Sequence, residues 1–319
     1  MNNQQSIENK QLISQVIQEI GKVIIGKDEV IELALTAMIA NGHVLFEDIP
    51  GVGKTTLVKT LAKATQCSFG RIQFTPDLLP SDIIGVSLFD LKQNMFTFRN
   101  GPIFHDILLA DEINRTTPKT QSALLEAMNE KQVTIDNTTY PLNEHFFVLA
   151  TQNPIDYEGT YPLIEAQLDR FLLKLTIGYP SSEEETTLLL KENLNDAIHD
   201  VNPVLDAEQI RQLKQLVISV HVDPMIVEYV LKIVQATRNH PKIKLGISPR
   251  GSIALIQAIK AYAIIKGRDY CIPDDVKKLV AAVFSHRLIL HARYKMQIEA
   301  ANEILQEIVE NIEVPVLKK

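Results

Sequence analysis

Apolar residues recur at two different spacings along the chain, and the balance between them changes near Gly178–Pro180. Before that point, short apolar runs alternate with amphipathic stretches. A run such as Ile107–Ala110 has the length of a buried strand, whereas Ser6–Gly21 carries apolar residues three and four apart, which is typical of a helix. Strands that alternate with helices predict a parallel sheet with helices on both faces.

The elements predicted for this first part follow a regular order. The strands are His43–Glu47, Gly70–Thr75, Ile107–Ala110, Phe146–Ala150 and Phe171–Leu175. The helices that join Ser6–Gly21 are Asp28–Asn41, Thr55–Thr65 and Lys119–Glu130. Two further segments, Val86–Arg99 and Gln132–Leu142, alternate weakly around polar turns and are interpreted as β-hairpins, the second turning at Asp136–Asn137.

Beyond Pro180 the strand signals become rare and helical periods dominate. The predicted helices are Ser182–Asn193, Ala207–Val217, Pro224–Thr237, Arg250–Lys266, Pro273–His291 and Ile298–Ile312. We therefore expect an α/β core over residues 1–179, followed by an all-α helical domain over residues 180–319, in keeping with a length suited to about two domains.

Charge and composition narrow the function. The chain has 319 residues and a net charge of −7, which gives no support to nonspecific attraction to nucleic acid or anionic membranes. No apolar run approaches the roughly 18 residues of a membrane span, and the N-terminus is polar. Cys67 and Cys271 lie far apart without metal-ligand spacing and are interpreted as buried or reduced thiols, with a single disulfide as the alternative. We expect a cytoplasmic protein.

A glycine-rich loop stands between a predicted strand and a predicted helix, in HVLFE-DIPGVGKT-TLVKTLAKA. Gly51 and Gly53 let backbone amides encircle phosphate oxygens, and the helix N-terminus adds partial positive charge. Lys54 supplies a full charge to the same oxygens, and Thr55 offers a hydroxyl to Mg²⁺. The predicted phosphate loop comprises Pro50, Gly51, Val52, Gly53, Lys54, Thr55 and Thr56. The alternative is a glycine turn that only caps the helix.

Two carboxylates follow the apolar run Ile107–Ala110. Because successive side chains of a strand point to opposite sides, one carboxylate can face Mg²⁺ while the other faces an attacking water. We assign Asp111 to the metal and Glu112 to the base that orients and deprotonates the water. The alternative for such a pair is a solvated strand end.

Asn153 follows the strand HFFVLAT, where a side-chain amide can hold the attacking water or touch the terminal phosphate. The alternative is a turn residue before Pro154. Arg250 begins a helix in SPRGS, where its charge opposes the helix dipole and so suggests an anionic partner. Its alternative is simple solvent exposure.

Arg170 lies in EAQLDRF, just before the last predicted strand. Because this position is expected at the sheet edge opposite the phosphate loop, Arg170 is predicted to reach the nucleotide of a neighbouring subunit. Its alternative is a surface ion pair with Asp169 or Glu165. His286, with Arg287 and Arg293, is interpreted as an exposed charged helix face rather than a binding site.

Taken together, these motifs resemble the MoxR family of AAA+ ATPases over roughly Gln18 to Leu290. The resemblance rests on ADEINRTTPKTQSALLEAMNEKQVTIDNTTYPL, LATQNPIDYEGTYPLIEAQLDRFLLKL and GISPRGSIALIQAIKAYAIIKGRDYCIPDDV. There are two departures: Asp48 replaces the usual first glycine of the phosphate loop, and Ile164 stands where a proline often precedes EAQLDRF.

The resemblance implies a role for each matching residue. Asn153 is similar to the first sensor, Arg170 to the arginine finger and Arg250 to the second sensor on a helical lid. VIIGKDEV resembles the segment beside the adenine, which implies contacts from Val23, Ile24 and Ile25. The two hairpins resemble the helix-2 insert and the pre-sensor hairpin of related ring ATPases.

By resemblance, the chain is expected to hydrolyse ATP with Mg²⁺, to form a hexameric ring and to remodel partner proteins, some of which carry von Willebrand factor A domains. A nucleic-acid motor is the main alternative. Its pre-sensor hairpin, here Gln132–Leu142, would need more basic residues than the neighbouring Lys131 alone. A binding module with negligible turnover is disfavoured by the presence of Lys54, Glu112 and Asn153. A GTPase is disfavoured because no NKxD-like guanine-binding element is found.

Overall fold

A computed structural model describes residues 3–92, 94–153, 160–190, 194–294 and 300–315. It confirms the expected fold class, an α/β core followed by a helical region. The strands are β1 Val44–Glu47, β2 Phe69–Gln73, β3 Gly85–Asp90, β4 Met95–Asn100, β5 Ile107–Asp111, β6 Gln132–Ile135, β7 Thr138–Pro141, β8 Phe147–Gln152, β9 Leu173–Leu175, β10 Ile243–Leu245 and β11 Ile289–Leu290.

The helices of the core are α1 Asn3–Gly21, α2 Asp28–Ile39, α3 Lys54–Ala64, α4 Pro80–Ile84, α5 Pro118–Glu130 and α6 Glu165–Leu168. The helices that follow are α7 Ser182–Leu190, α8 Leu194–His199, α9 Ala207–Ser219, α10 Pro224–Asn239, α11 Pro249–Ile265, α12 Pro273–Phe284 and α13 Ala300–Asn311. The expected extension of α7 to Asn193 and of the last helix back to Ile298 falls outside the described residues.

The central sheet has five parallel strands in the order β2-β5-β8-β1-β9. Side chains of each strand alternate between two apolar layers. In β5, Ile107 and Leu109 join one buried cluster, while Leu108 and Ala110 join the other. The first cluster includes apolar residues of α1, α2 and α3, and the second those of α5, so helices cover both faces.

His43 ties the start of β1 to both the sheet and α5. The ring is buried; its Nδ1 accepts the Val148 N–H at 3.0 Å, and its Nε2 lies 3.2 Å from the Met128 carbonyl. These partners assign the proton to Nε2. Burial lowers the pKa of His43 to about 4, so the ring is neutral near pH 7.

Both expected hairpins are present, as β3–β4 and β6–β7. The second turns at Asp136 and Asn137, both with positive φ, as a tight two-residue hairpin turn requires.

The helical region packs on the core mainly through α11, which lies against α2. Gln257 donates to the Ala40 carbonyl, Lys266 pairs with Glu32, and the Tyr262 hydroxyl lies 3.3 Å from the same carboxylate. The apolar residues of these helices belong to the same buried cluster as α1, α2 and α3. Within the described ranges, no helix combines the length and apolar character needed to cross a membrane.

The helix expected over Pro273–His291 is shorter than predicted. It ends at Phe284 and is followed by a 3-10 turn, Ser285–Arg287, and by β11, which pairs with β10. The interpretation of His286 and Arg287 as an exposed helix face was therefore wrong, because both side chains are buried against the core. Arg293 lies beyond them in another short 3-10 helix, Ala292–Tyr294.

Candidate active site

The predicted phosphate loop joins the end of β1 to the start of α3. Gly51 and Gly53 have φ of +85° and +88°, a left-handed conformation that glycine adopts without strain. Nothing lies within 4 Å of where a Cβ would stand on either residue, so it is the backbone conformation rather than lack of space that favours glycine. Gly53 is also the N-cap of α3, so the loop amides lie at a helix N-terminus, a suitable site for phosphate.

Lys54 folds back over this loop. Its ammonium donates to the carbonyls of Asp48 and Ile49, at 2.8 and 2.9 Å. Burial lowers the pKa of Lys54, and the nearby carboxylates Asp48, Asp111 and Glu112 oppose that effect. Lys54 therefore lies near enough to the predicted acidic pair to interact with its charge.

Asp111 is the last residue of β5, and both of its oxygens are engaged. Oδ1 accepts the Thr151 hydroxyl at 2.6 Å, and Oδ2 forms an ion pair with Arg71 at 2.7 Å. Arg71 lies on β2 and its side chain is 45% exposed, so it can move aside without opening the core. Thr55 and Asp111 offer hydroxyl and carboxylate oxygens, the ligand types that Mg²⁺ prefers.

The backbone of Glu112 differs from the conformation predicted from the sequence. We expected it to continue the strand, but β5 ends at Asp111 and Glu112 has φ +58° and ψ +49°, a left-handed conformation. The backbone turn, not strand alternation, therefore separates the two carboxylates. Such a conformation is uncommon for a residue with a side chain, and strained backbone of this kind clusters at functional sites.

The carboxylate of Glu112 is held by two neighbours. It accepts the Gln73 side-chain amide at 2.8 Å and pairs with Arg115 at 2.9 Å. Its N–H donates to the Thr151 hydroxyl at 2.8 Å. Thr151, which is buried, therefore bonds to both members of the acidic pair.

Asn153 stands one residue beyond the end of β8, between β5 and β1 in the sheet. Its carbonyl accepts the Asn114 side-chain amide at 3.3 Å. Because β1, β5 and β8 are parallel, the phosphate loop, the acidic pair and Asn153 all follow carboxyl ends at one edge of the sheet.

A cavity of about 250 Å³ adjoins the phosphate loop. It brings the segment expected beside the adenine together with the loop: its lining includes Val23, Ile24, Ile25, Gly51, Val52, Gly53 and Thr56. Gly178, Pro180 and Leu188 also line this cavity. A larger cavity, of about 430 Å³, lies between α2, β9 and α12, and no phosphate-loop residue lines it.

Arg170 and Arg250 lie together at a different place. Arg170 precedes β9, whose Leu173 is in register with Val44 at the start of β1, so it lies at the amino edge of the sheet. Arg250 is 3.3 Å from Asp169, the residue before Arg170. The structure thus brings Arg250 to the segment that carries Arg170, at the edge of the sheet opposite the phosphate loop.

The ion pair considered as an alternative for Arg170 is not seen. Among the residues that the structure describes, neither Asp169 nor Glu165 forms an ion pair with Arg170. Asp169 instead pairs with two arginines of the helical region, Arg250 and Arg287.

Arg287 was not recognised as a site residue from the sequence. Its side chain is only 4% exposed, pairs with Asp169 at 2.8 Å and donates to the Phe171 carbonyl at 2.7 Å. Burial lowers the pKa of Arg287, and the Asp169 carboxylate opposes that effect. A buried guanidinium needs such partners, so this cation fixes the segment that carries Arg170 to the helical region.

Comparisons with known proteins agree with this geometry. Residues 43–173 match the family described as "ATPase family associated with various cellular activities (AAA)", and residues 235–308 match an AAA lid domain. The chain is 41% identical to "Chaperone MoxR1" of Mycobacterium tuberculosis, over 94% of this chain and 80% of that protein. It is 30% identical to "Protein MoxR" of Paracoccus denitrificans, over 87% and 88%. The chain belongs to the MoxR family of AAA+ ATPases.

Two further similarities extend over nearly the whole chain. "Uncharacterized protein YeaC" of Bacillus subtilis is 52% identical over 96% of this chain and 95% of its own length. A crystal structure titled as a "putative ATPase" from Cytophaga hutchinsonii superposes with a TM-score of 0.89 at 38% identity, covering 98% of both chains. As a member of the MoxR family, the protein is an ATP-hydrolysing enzyme.

Several polar partners in this MoxR-family site were missed by sequence reasoning. Gln73, Arg71 and Thr151 contact the acidic pair, and each lies at or near the carboxyl end of β2 or β8. Their positions could have indicated a place in the site, because the carboxyl ends of parallel strands meet at one edge of the sheet. Gly178 and Pro180 were interpreted only as a domain boundary, although they also line the cavity.

If Lys54 binds the phosphates, Lys54→Ala should weaken ATP binding by roughly 10- to 100-fold or more, because a charge-assisted contact is lost. Isothermal titration calorimetry measures the effect. Lys59→Ala is the matched control, since Lys59 is exposed and lies on the same helix. Equal ATP affinity in the Lys54 variant and the wild type would contradict the assignment.

Proposed function

We propose that this ATPase works as a homo-oligomeric ring and uses ATP hydrolysis to remodel partner proteins. The family resemblance implies that the ring is hexameric. One observation supports the ring above all others. Arg170 and Arg250 lie at the amino edge of the sheet, whereas the phosphate loop and the acidic pair follow its carboxyl edge. One subunit thus presents two halves of a site that its own fold keeps apart.

Within one subunit, we assign the residues at the carboxyl edge as follows. The loop Pro50–Thr56 and the charge of Lys54 bind the phosphates, and Val23, Ile24 and Ile25 contact the adenine. Thr55 and Asp111 would hold Mg²⁺, which would supply positive charge to offset that of the phosphates. This last assignment rests on the chemistry of the two oxygen donors and on their place beside the loop.

Two residues act on the attacking water in this proposal. Glu112 orients it and takes its proton, and Asn153 positions it from the end of β8. Gln73 and Arg115 both hold Oε2 of Glu112, at 2.8 and 2.9 Å, so Oε1 is the oxygen that we assign to the water. Both partners are polar side chains near the surface, so a movement of either requires no change in the core.

The Glu112→Gln variant keeps the size of the side chain and removes the base. It should bind ATP with near-normal affinity, while hydrolysis falls by roughly 10²-fold or more. Phosphate release and calorimetric ATP affinity are measured on the same preparation. Glu126→Gln, an exposed position on α5, is the matched control and should leave both values unchanged. Turnover of the Glu112 variant within a few-fold of wild type would identify another residue as the base.

At the amino edge, we propose that Arg170 and Arg250 both reach the nucleotide of the neighbouring subunit. Head-to-tail contacts of this kind close into a ring when the rotation between subunits permits. An arginine supplied from outside the site stabilises charge in the transition state and contributes about 10³–10⁵ in rate in other phosphoryl-transfer enzymes. In the single subunit, Asp169 pairs with Arg250 through a contact that leaves 68% of the Arg250 side chain exposed.

Mixing inactive variants tests this shared site. Arg170→Ala mixed with Lys54→Ala should regain activity, because about a quarter of randomly formed interfaces in a 1:1 mixture pair an intact loop with intact arginines. Arg250→Ala mixed with Lys54→Ala should behave in the same way. Phosphate release is measured after subunit exchange has been verified.

The mixture of Arg170→Ala with Arg250→Ala is the decisive control. If one neighbour supplies both arginines, no interface in that mixture is complete and activity stays absent. Recovery in that mixture would mean that Arg250 acts on its own subunit's nucleotide. No recovery in any mixture, together with activity that does not depend on protein concentration, would rule out the shared site.

The hairpin β3–β4 supports a protein as the partner. Its side chains include the exposed apolar residues Val86, Leu88, Phe89, Met95 and Phe96, and Leu91 at the turn is 87% exposed. Phe89 and Phe96 are paired across the hairpin, and their rings pack edge to face with centroids 5.2 Å apart, so they form an apolar surface on one face of it. Val86, Leu88 and Met95 lie on the other face. Contiguous exposed apolar residues are typical of protein-binding surfaces.

A nucleic-acid motor is the alternative function. A strand-tracking hairpin needs several basic residues, but the hairpin β6–β7, which resembles the pre-sensor hairpin, has only Lys131 beside it. The described part of β3–β4 and its turn carries only Lys92 and Arg99. A relative named as a chaperone supports protein remodelling instead. We include partners that carry a von Willebrand factor A domain on the basis of the family resemblance alone.

A cytoplasmic location completes the proposal. Cys67 and Cys271 are both free, and burial raises the pKa of each thiol, that of Cys271 to about 12. Neutral thiols of this kind suit a reducing compartment that also supplies ATP.

The Glu112→Gln variant loaded with ATP should retain partner proteins that the ADP-loaded form releases. Replacing Phe89 and Phe96 by Ser in that background should reduce the retained protein several-fold, because the apolar surface is lost. Ile218→Ser, at an exposed apolar position on α9, is the matched control. Retention of nucleic acid, or loss of the bound material on nuclease treatment, would favour the motor.

A further inference from the structure

Asp48 stands where the usual phosphate loop has its first glycine, and its side chain is buried, with only 6% of the residue exposed. Its carboxylate accepts three backbone N–H groups. Oδ1 accepts from Ile49 at 2.8 Å, and Oδ2 accepts from Ile177 at 2.7 Å and from Gly178 at 2.8 Å. A buried carboxylate is tolerated only with such partners, and both oxygens have them here.

The three partners belong to two segments that are far apart along the chain. Ile49 directly precedes the phosphate loop, whereas Gly178 lines the cavity and begins the linker into α7. Gly178 has φ +68°, a left-handed conformation that glycine adopts without strain, and Lys27 also holds the linker by donating to the Tyr179 carbonyl at 2.9 Å. The carboxylate therefore joins the loop to the linker directly.

Lys54 contacts the same residue from the other side. Its ammonium donates to the Asp48 carbonyl at 2.8 Å and to the next carbonyl, that of Ile49, at 2.9 Å. Phosphate oxygens are charged acceptors and compete strongly for the donors of a lysine. When Lys54 turns to phosphate, the backbone of Asp48 loses a charged partner while its carboxylate still holds the linker.

We propose that Asp48 is a positioning residue that transmits occupancy of the phosphate loop to the linker 177–181, and through it to α7. The proposal rests on the proposed function only in that phosphate binds at the loop. It explains why a carboxylate replaces glycine: glycine leaves the loop amides free for phosphate, but it cannot bond to Ile177 and Gly178. Phosphate binding and its effect on the linker are therefore separable.

Hydrogen–deuterium exchange of the full chain tests this proposal, with Mg²⁺-tripolyphosphate as the probe. Tripolyphosphate carries no adenine and so cannot contact the linker through the base. The variants are Asp48→Gly, which restores the usual loop residue, and Asp48→Asn, which keeps the volume but has one acceptor oxygen fewer. Asp106→Asn is the matched control, because the Asp106 carboxylate also bonds to a separate segment, at the Ser68 N–H, but at the other edge of the sheet.

Without probe, the peptide that contains Ile177 and Gly178 should exchange about 10- to 100-fold faster in Asp48→Gly than in wild type, since its amides lose a charged acceptor. In Asp48→Asn this peptide should also exchange faster than in the wild type. With probe, exchange of this peptide should change in the wild type and in Asp106→Asn, but not in the Asp48 variants. Tripolyphosphate affinity, from calorimetry, should differ by less than about threefold among all four proteins.

Three results would overturn the proposal. The probe could change linker exchange equally in wild type and Asp48→Gly, which would remove Asp48 from the pathway. The Asp48 variants could fail to bind the probe, which would make Asp48 a structural residue of the loop. The wild type could bind the probe with no change at the linker. If the wild type binds neither tripolyphosphate nor ATP, the phosphate loop of the proposed function fails first, and this inference fails with it.

Discussion

The parallel alignment of five short strands is the constraint on which the rest of this structure depends. Because β1, β5 and β8 run in one direction and are in register, the segments that follow them meet at a single edge. That edge receives the phosphate loop, the acidic pair and Asn153 from three distant parts of the sequence. The same constraint sends Arg170, which precedes β9, to the opposite edge.

Buried polar groups then fix the position of each functional segment. Thr151 bonds to both acidic residues, Asp48 bonds the loop to the linker, and Arg287 bonds the helical region to the segment before β9. In each case one side chain forms hydrogen bonds with groups from different elements. The desolvation free energy of burying that side chain is therefore offset only when the whole fold is assembled.

The helical region has two distinct relations to the core. Through α11 it shares an apolar cluster with α2, and through Arg250 and Arg287 it reaches Asp169 at the amino edge. Pro180 and Leu188, at the start of this region, line the cavity beside the phosphate loop. The helical region thus contacts both the edge of the sheet that carries this loop and the edge that carries Arg170.

Much of the architecture was determined by the sequence itself. Apolar periods predicted the sheet strands and most helices, and the order strand–PGVGKT–helix predicted the loop, because these signals are local and depend on backbone geometry. Only the tertiary structure decided that Glu112 leaves the strand, that Arg287 is buried and that Arg250 lies beside Asp169. The physical reason is that burial and ion pairing depend on residues that are far apart along the chain. No local spacing records whether a charged residue faces solvent or a distant carboxylate.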